Sequence, residues 1–437
     1  REREASRPSP MQQIPPSPQL VASAPPTRFP RHKIRILLLE NVHQCAIDNF
    51  HKEGFYVETA VAISEQDLMS KLTGTNGHEA IHAIGVRSKT AITKECFEAA
   101  KRLLCVGCYC IGTDNHDLEA GEAAGVPVFN APYANTRSVA ELVISQIIAL
   151  SRQMMDRSAE CHRGAWYKVS KNCCEVRGKT LGIIGYGHVG SQVSVLAESL
   201  GMKVVYYDVV PKMAMGNATQ CSTMDEMLEQ ADYVTLHVPK LPTTKNLFGA
   251  AQFAKMRKGS YLINASRGDI VVIDDFAEAL RTGHLAGGAA DVFPSEPKKN
   301  GENLFNSPLV GLPNVILTPH IGGSTEEAQA AIGMEVSTAM IKYINMGITY
   351  GAVNFPQIDI IPRPGTHRLL NCHKNVPGVL MKINMALAES GCNIFAQQLA
   401  TSDNVGYMVV DVNTAASETC MSTIRSLDES IRTRILW

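Results

Sequence analysis

The run Thr180-Leu181-Gly182-Ile183-Ile184-Gly185-Tyr186-Gly187-His188-Val189-Gly190, with Lys-Val-Val-Tyr-Tyr-Asp at 203–208, decides how this chain is read. Residues 180–184 give an apolar strand signal. The glycines at 185, 187 and 190 then form G-x-G-x-x-G where a helix opens, and that helix runs to about residue 200. Gly185 permits the tight turn, Gly187 lets the backbone approach a pyrophosphate, and Gly190 lets helix and strand pack closely. The N–H groups of His188 and Val189 lie at a helix N-terminus, where unpaired donors and the helix dipole favour phosphate. Asp208 ends the next strand, placed to accept from a ribose 2′-hydroxyl and to repel a 2′-phosphate, which selects NAD over NADP. A glycine-rich turn without a ligand is the plain alternative, and the strand–turn–helix–strand–acid order argues against it.

Working outward, further strands are expected at 233–237, Ser260–Asn264, 287–291 and 315–318, followed by a helix at Glu326–Met346. On the N-terminal side, strands at 34–39, 80–86, 103–107 and 126–130 alternate with helix-like stretches such as 45–53 and 64–71. Near-continuous apolar strands suit a parallel sheet buried on both faces, and the alternation implies right-handed βαβ units. Asn135-Thr136 reads as the cap of a long apolar helix over 138–153 that carries the chain into the second unit. After a short polar, proline-containing joint at 356–365, residues 367–437 read βαββαβ, the order of a ferredoxin-like module. Its strands are expected at 368–373, 393–401, 406–412 and 431–436, with helices at 378–390 and 416–426.

The expected fold class is therefore α/β, with two Rossmann-like doubly wound domains and a C-terminal ferredoxin-like domain. Residues 33–134 and 321–360 would form a substrate-binding domain, 135–320 the NAD-binding domain, and 361–437 a regulatory domain. Residues 1–32 hold few apolar side chains among Pro, Ser, Arg and Gln, and are expected to be a disordered tail. The tail is too proline-rich for the amphipathic helix of a transit peptide, and Met11 is one candidate for the natural start.

A chain of 437 residues suggests about three domains. The balance of 41 Lys+Arg against 42 Asp+Glu gives no electrostatic reason to expect nucleic acid or a membrane surface as partner. No apolar run approaches the roughly 18 residues of a transmembrane helix. Twelve cysteines are diluted along the chain with no secretory signal, which points to a reduced, cytoplasmic protein. Cys105, Cys108 and Cys110 form C-x-x-C-x-C, but no second pair or histidine follows at finger spacing. They are expected to be buried thiols, as are Cys161 and Cys392, and no metal is expected.

Three polar residues follow expected strands where open α/β sheets hold ligands. Arg267 follows Asn264-Ala265-Ser266, Glu296 follows Asp291-Val292-Phe293-Pro294-Ser295, and His320 precedes Ile321-Gly322-Gly323. An arginine fork can hold a substrate carboxylate through two parallel charge-assisted bonds. A histidine can remove a hydroxyl proton while hydride leaves the same carbon, and a glutamate on its other ring nitrogen would orient it. Each has a plainer reading, as an Arg267–Glu296 ion pair or a helix cap at His320.

The blocks NASRG (264–268), DVFPSEP (291–297) and PHIGGST (319–325) resemble the D-isomer-specific 2-hydroxyacid dehydrogenases, and the likeness runs over 33–437. RSKT (87–90), NAPYANTRSVAELV (130–143) and GTHRLLNCHKNVPGVL (365–380) fit the same family. The resemblance implies an NAD-dependent dehydrogenase with Arg267 as carboxylate clamp, His320 as acid/base and Glu296 as its partner. It places Ala265, Ser266, Asp291 and the His320–Gly323 segment beside the nicotinamide and ribose. It assigns Arg87, Ser88 and Asn135 to a phosphorylated substrate, although an exposed loop arginine is commonly a solvated charge. The terminal module resembles an ACT domain, which implies L-serine as a feedback inhibitor at His373, Asn375 and Asn393, in a homotetramer. A polar turn and helix cap is the plain reading of those three positions. A glyoxylate- or hydroxypyruvate-type dehydrogenase and a catalytically silent, NAD-sensing interaction protein share this fold and remain alternatives.

Overall fold

The structure is a computed structural model that describes residues 30–297, 299–415 and 417–437. The expected disordered tail lies outside these residues up to position 29. Its last two residues are ordered instead, in a 3-10 turn at Arg31–Lys33, where Arg31 pairs with Glu53 at 3.0 Å.

The first unit contains β1 (Arg35–Leu39), α1 (Gln44–Lys52), β2 (Tyr56–Ala60), α2 (Glu65–Thr73), β3 (Ala83–Val86), α3 (Lys94–Ala99), β4 (Cys105–Cys108), α4 (Leu118–Ala123) and β5 (Val128–Phe129). Its five parallel strands run in the order β2-β1-β3-β4-β5. β3 and β4 are buried along their whole length, as their apolar runs require. β2 went unread in the sequence because it is an edge strand. Its residues Tyr-Val-Glu-Thr-Ala are all at least partly exposed, so it carries no continuous apolar run.

α5 (Thr136–Ser151) and α6 (Met154–His162) lead into the second unit. There follow β6 (Thr180–Ile184), α7 (His188–Ser199), β7 (Lys203–Tyr207), β8 (Thr219–Gln220), α8 (Met224–Gln230), β9 (Tyr233–Leu236), α9 (Ala250–Lys255), β10 (Ser260–Asn264), α10 (Ile273–Arg281), β11 (Leu285–Ala290) and β12 (Val315–Leu317). The order β12-β11-β10-β9-β6-β7-β8 reverses direction beside β6, so the G-x-G-x-x-G turn sits at the switch point of a doubly wound sheet. α5 packs on this sheet through Val139, Val143, Ile147 and Leu150. α11 (Glu326–Met346) returns to the first unit, where Val336, Met340 and Tyr343 join its core.

The last unit comprises β13 (His367–Lys374), α12 (Val379–Glu389), β14 (Ile394–Thr401), β15 (Val405–Val412), α13 (Ser417–Arg425) and β16 (Ser430–Leu436). Its antiparallel order, β14-β15-β13-β16, is that of a ferredoxin-like fold. One face of the sheet packs Leu369, Met408 and Val410 on its own helices through Ile383, Leu387, Cys420 and Ile424. The opposite face packs Leu370, Cys372, Tyr407 and Val409 on Met340, Tyr343, Ile344 and Phe355 of the first unit. The two units thus share a core. Arg368, 2% exposed, seals the junction. It forks onto Asp411 at 2.6 and 2.8 Å and donates to the carbonyls of Met346 and Ile360 at 2.9 and 2.7 Å. A guanidinium this deeply buried requires such partners. The joint expected as a simple polar connection is itself anchored: Ile358 is buried, and its N–H and C=O both bond to Thr349.

All twelve cysteines are free. Cys105 is fully buried, and burial pushes its thiol up to about 12. Cys161 departs from expectation, since it lies on α6 and is exposed, and Cys110 and Cys392 are only part-buried. Among the described residues no His/Cys/Asp/Glu group is placed to hold a metal ion, and no helix is long and apolar enough to cross a membrane.

Candidate active site

The G-x-G-x-x-G turn has the geometry of a phosphate cradle. Gly185 has φ +89°, and a Cβ there would meet the His237 carbonyl at 2.5 Å. A Cβ on Gly190 would drive into the carbonyl of Gly185, whereas one on Gly187 would meet nothing within 4 Å. The turn is therefore closed beneath and open above, with Gly187 and His188 exposed at the start of α7. Asp208 stands at the end of β7, where its Oδ2 accepts from the Tyr186 N–H at 2.8 Å and its Oδ1 from the Val210 N–H at 3.1 Å. These residues fit a dinucleotide, with the N–H groups of His188 and Val189 for its pyrophosphate and Asp208 for its ribose.

The acid/base pair is assembled by a loop in a left-handed conformation. His320 has φ +53°, a sparsely populated region for a residue with a Cβ, and tertiary bonds hold it there. Asp291, 1% exposed, is the organiser. Its Oδ1 accepts from Thr318 Oγ1 at 2.6 Å and from the Ile321 N–H at 2.8 Å, and its Oδ2 accepts from the Gly322 N–H at 2.8 Å. The His320 N–H donates to the Asp291 carbonyl at 2.8 Å. The ring is turned so that Nδ1 lies 2.9 Å from Glu296 Oε2, while Glu296 Oε1 accepts from the Phe293 N–H at 3.0 Å. A proton on Nδ1 satisfies that contact and leaves Nε2 to face the cleft. The bond to Glu296 raises the His320 pKa above its ordinary value against the opposing effect of burial. Glu296 is pushed up by burial, but the bonds from His320 and Phe293 outweigh this and hold it below the ordinary carboxylate range.

Arg267 follows β10 on a turn pinned by Asn264, whose Oδ1 accepts from Ser266 N and Oγ and whose Nδ2 donates to the Arg267 carbonyl. Its guanidinium crosses the cleft to the first unit, with Nε 3.4 Å from Asp114 Oδ2 and Nη2 against Gly112. The Arg267–Glu296 ion pair is not what forms; Glu296 takes His320 and Arg267 takes Asp114. Arg87 and Ser88 sit on a loop after β3, which buried Glu40 holds by accepting from the N–H groups of Lys89 and Thr90 at 3.0 and 2.6 Å.

Asn135 does occupy the N-cap of α5, but its side chain makes no capping bond. It lies instead against Gly323, where a Cβ would meet Asn135 Nδ2 at 2.7 Å. Asn135 Oδ1 and Thr136 Oγ1 are both buried without a protein partner. In the terminal module, Asn375 and Asn393 are exposed, and Asn375 donates to the Ser402 carbonyl at 2.8 Å. His373 lies beneath the surface, 3% exposed, with Nδ1 2.9 Å from Asn371 Oδ1 and Nε2 against Gly406.

Asp114, Glu40 and Asn264 went unread in the sequence as parts of this site. No local pattern marks Asp114 or Glu40, because their partners are 153 and about 50 positions away. Asn264 lay within a quoted motif, and a polar residue ending a buried strand was the available signal.

Comparison with known proteins agrees with this geometry. Residues 144–322 match the family model "D-isomer specific 2-hydroxyacid dehydrogenase, NAD binding domain", and residues 369–432 match an "AHAS small subunit-like ACT domain". Among solved structures, TT0316 from Thermus thermophilus superposes with a TM-score of 0.63 at 28% identity, covering 71% of this chain and 96% of that one. D-lactate dehydrogenase from Aquifex aeolicus, complexed with NAD and lactic acid, gives 0.63 at 25% identity over 74% of this chain and all of that one. The chain belongs to the D-isomer specific 2-hydroxyacid dehydrogenases, with an NAD-binding domain and a terminal ACT domain. Relatives matching nearly its whole length are named D-3-phosphoglycerate dehydrogenase. The Dictyostelium discoideum protein is 51% identical over 94% of this chain and all of its own length, and that of Escherichia coli K12 is 46% identical over 93% and 98%.

Proposed function

We propose that this enzyme oxidises D-3-phosphoglycerate to 3-phosphohydroxypyruvate with NAD, the first step of the phosphorylated route to L-serine. The observation that carries the reading is the 2.9 Å bond between His320 Nδ1 and Glu296, in the same unit as Arg267, whose guanidinium reaches into the cleft, in a chain matched over nearly its whole length by relatives of that name. Arg267 exchanges its contact with Asp114 for the substrate carboxylate, where its planar fork gives two charge-assisted bonds. His320 Nε2 takes the hydroxyl proton, and the Glu296 carboxylate stabilises the imidazolium that results. When bound, the oxidised nicotinamide accepts the hydride from the substrate carbon. Arg87 and Ser88 receive the phosphate, and the unpartnered Asn135 Oδ1 accepts from a substrate hydroxyl. Ala265, Ser266, Asp291 and the Ile321–Gly323 backbone border the nicotinamide side; the Asp291 carboxylate does so chiefly by holding the His320 loop.

The test is NADH absorbance with 3-phosphoglycerate, glycolate and D-lactate as alternative substrates. A clear preference for 3-phosphoglycerate is expected. Equal rates with unphosphorylated acids would assign a different dehydrogenase, and no NADH with any acid would indicate a silent NAD-binding protein.

The terminal ACT domain would bind an amino acid, and we assign L-serine, held by Asn375 and Asn393 between paired modules of a homotetramer. Exposed Met381, Met385, Ile394 and Phe395 on α12 and β14 supply an apolar face suited to such pairing. Twelve free thiols suit a reducing, cytoplasmic setting. Calorimetry with L-serine on the intact protein tests the effector, and an absence of binding heat would remove it without touching the dehydrogenase.

A further inference from the structure

A second cationic cleft lies at the junction of the first unit and the terminal module, lined by residues that the proposed reaction does not use. It has a volume of ≈ 400 Å³ and lies between the α3–β4 turn, which brings Lys101 and Arg102, and β16, which brings Arg432 and Arg434, with His82 also lining it. No carboxylate is among the residues that line it. Arg432 and Arg434 are two apart on one strand, so both side chains project from the same face of the sheet. Arg432 Nη1 donates to the Leu103 carbonyl and Arg434 Nη2 to the Ile344 carbonyl. These bonds aim both guanidinium groups into the junction but neutralise neither.

Among the described residues, none of these four cations has an ion-pair partner, although elsewhere the buried guanidinium of Arg368 forks onto Asp411. Arg434 lies with its guanidinium 5.3 Å from the centroid of the Tyr343 ring, and its buried Nη1 has no hydrogen-bond partner. A charge or donor left this way is costly to keep from water unless an anion completes it. Burial holds the Arg432 pKa below its ordinary value, the same uncompensated charge seen in another quantity. His82 is neutral, pushed down to about 4 by burial and then by Arg102, Arg35 and Arg434; its Nδ1 accepts from the Arg35 N–H at 3.1 Å, which leaves the proton on Nε2.

We propose that this cleft binds a small phosphate-bearing anion, which bridges the α3–β4 turn to β16 and fastens the terminal module to the first unit. Converging cations without a carboxylate suit a dianion, and guanidinium forks match phosphate oxygens. The site is separate from the Arg87 loop and does not depend on which substrate the enzyme oxidises.

The experiment is isothermal calorimetry of inorganic phosphate, at constant ionic strength, on the full chain carrying Arg87→Ala, which removes the proposed substrate-phosphate position. Phosphate should still bind, and adding Lys101→Ala with Arg102→Ala, both exposed residues, should weaken it. Arg434→Met should weaken it by roughly 10- to 150-fold, the loss of one bond to a charged group. Glycerol phosphate in parallel distinguishes the source: tighter binding than phosphate identifies a phosphomonoester, and equal or weaker binding identifies the free ion. Absence of phosphate binding in the Arg87→Ala chain would overturn the proposal. So would an affinity unchanged by Lys101→Ala/Arg102→Ala and by Arg434→Met.

Discussion

Glu296 sets both the tautomer and the basicity of His320, so the pair makes two separable predictions. His320→Asn should lower kcat by roughly 10²–10⁴ while NADH binding, followed by fluorescence titration, stays near normal, because general-base catalysis acts on the barrier. A wild-type rate would remove His320 from the chemistry. Oxidation needs the neutral ring, and the His320 pKa is raised, so kcat/KM should increase as pH climbs through that raised value, above the ordinary 6.5 or so. Glu296→Gln removes the main cause of the rise, so the ascending limb should move to lower pH; an unmoved limb would disprove the coupling. The same shift makes His320 a source of stability that is fully present below the ordinary value and lost as pH rises through the folded one. Arg267→Lys should cost catalysis despite keeping the charge, since an ammonium cannot reproduce the fork, and kinetics with the substrate carboxylate intact will show whether it does. All three residues were legible in the sequence because each follows a strand in a local motif. The Glu296–His320 pairing was legible too, but with an Arg267–Glu296 ion pair as the plainer alternative, and where β11 and β12 place the loops decides between them.

At the scale of elements, the β6–α7 turn works because Gly185 and Gly190 leave no room for a side chain. Gly190→Ala would push a Cβ into the Gly185 carbonyl, so α7 must move off β6. Overpacking of this kind costs about 1–3 kcal/mol, and the thermal midpoint and NAD affinity should fall together. A variant with both unchanged would mean that the close approach is dispensable. Asp208 also accepts from the Tyr186 N–H, so Asp208→Ala should weaken NAD binding and relax the rejection of NADP. Titration with both cofactors will show whether that preference moves; if it does not, another residue sets it. The central strands β6, β9, β10 and β11 were readable from the sequence because burial on both faces leaves a nearly unbroken apolar run, whereas the exposed two-residue β8 went unread. β2 escaped for the same reason as β8, and α5 lost its expected side-chain cap because Asn135 is turned toward Gly323 in the cleft.

Over the whole molecule, the terminal ACT domain is docked as well as tethered. Asp411→Ala would leave Arg368 charged, buried and unpaired, a loss of about 3–5 kcal/mol that denaturant unfolding would register. A change under 1 kcal/mol or so would mean that water reaches the guanidinium. Truncation before Thr366 should abolish any response to serine and would also uncover Met340, Tyr343, Ile344 and Phe355, so a lower thermal midpoint and aggregation are expected. A truncated chain as stable as the intact one would contradict the shared core. Asn375→Ala, at an exposed position, is the cleaner probe: it should blunt serine inhibition and leave the uninhibited rate near normal. The sequence by itself determined the succession of α/β, α/β and ferredoxin-like units, the dinucleotide turn and the catalytic residue types. Each of these is written in local periodicity or in a motif of a few residues. Only the tertiary structure decided that Asp114 faces Arg267, that Glu40 orders the Arg87 loop, and that one face of the terminal sheet completes the first core. It alone brought Arg432 and Arg434 opposite Lys101 and Arg102. Those relations join residues far apart in the chain, and they arise from how apolar faces find one another on folding, which no local pattern records.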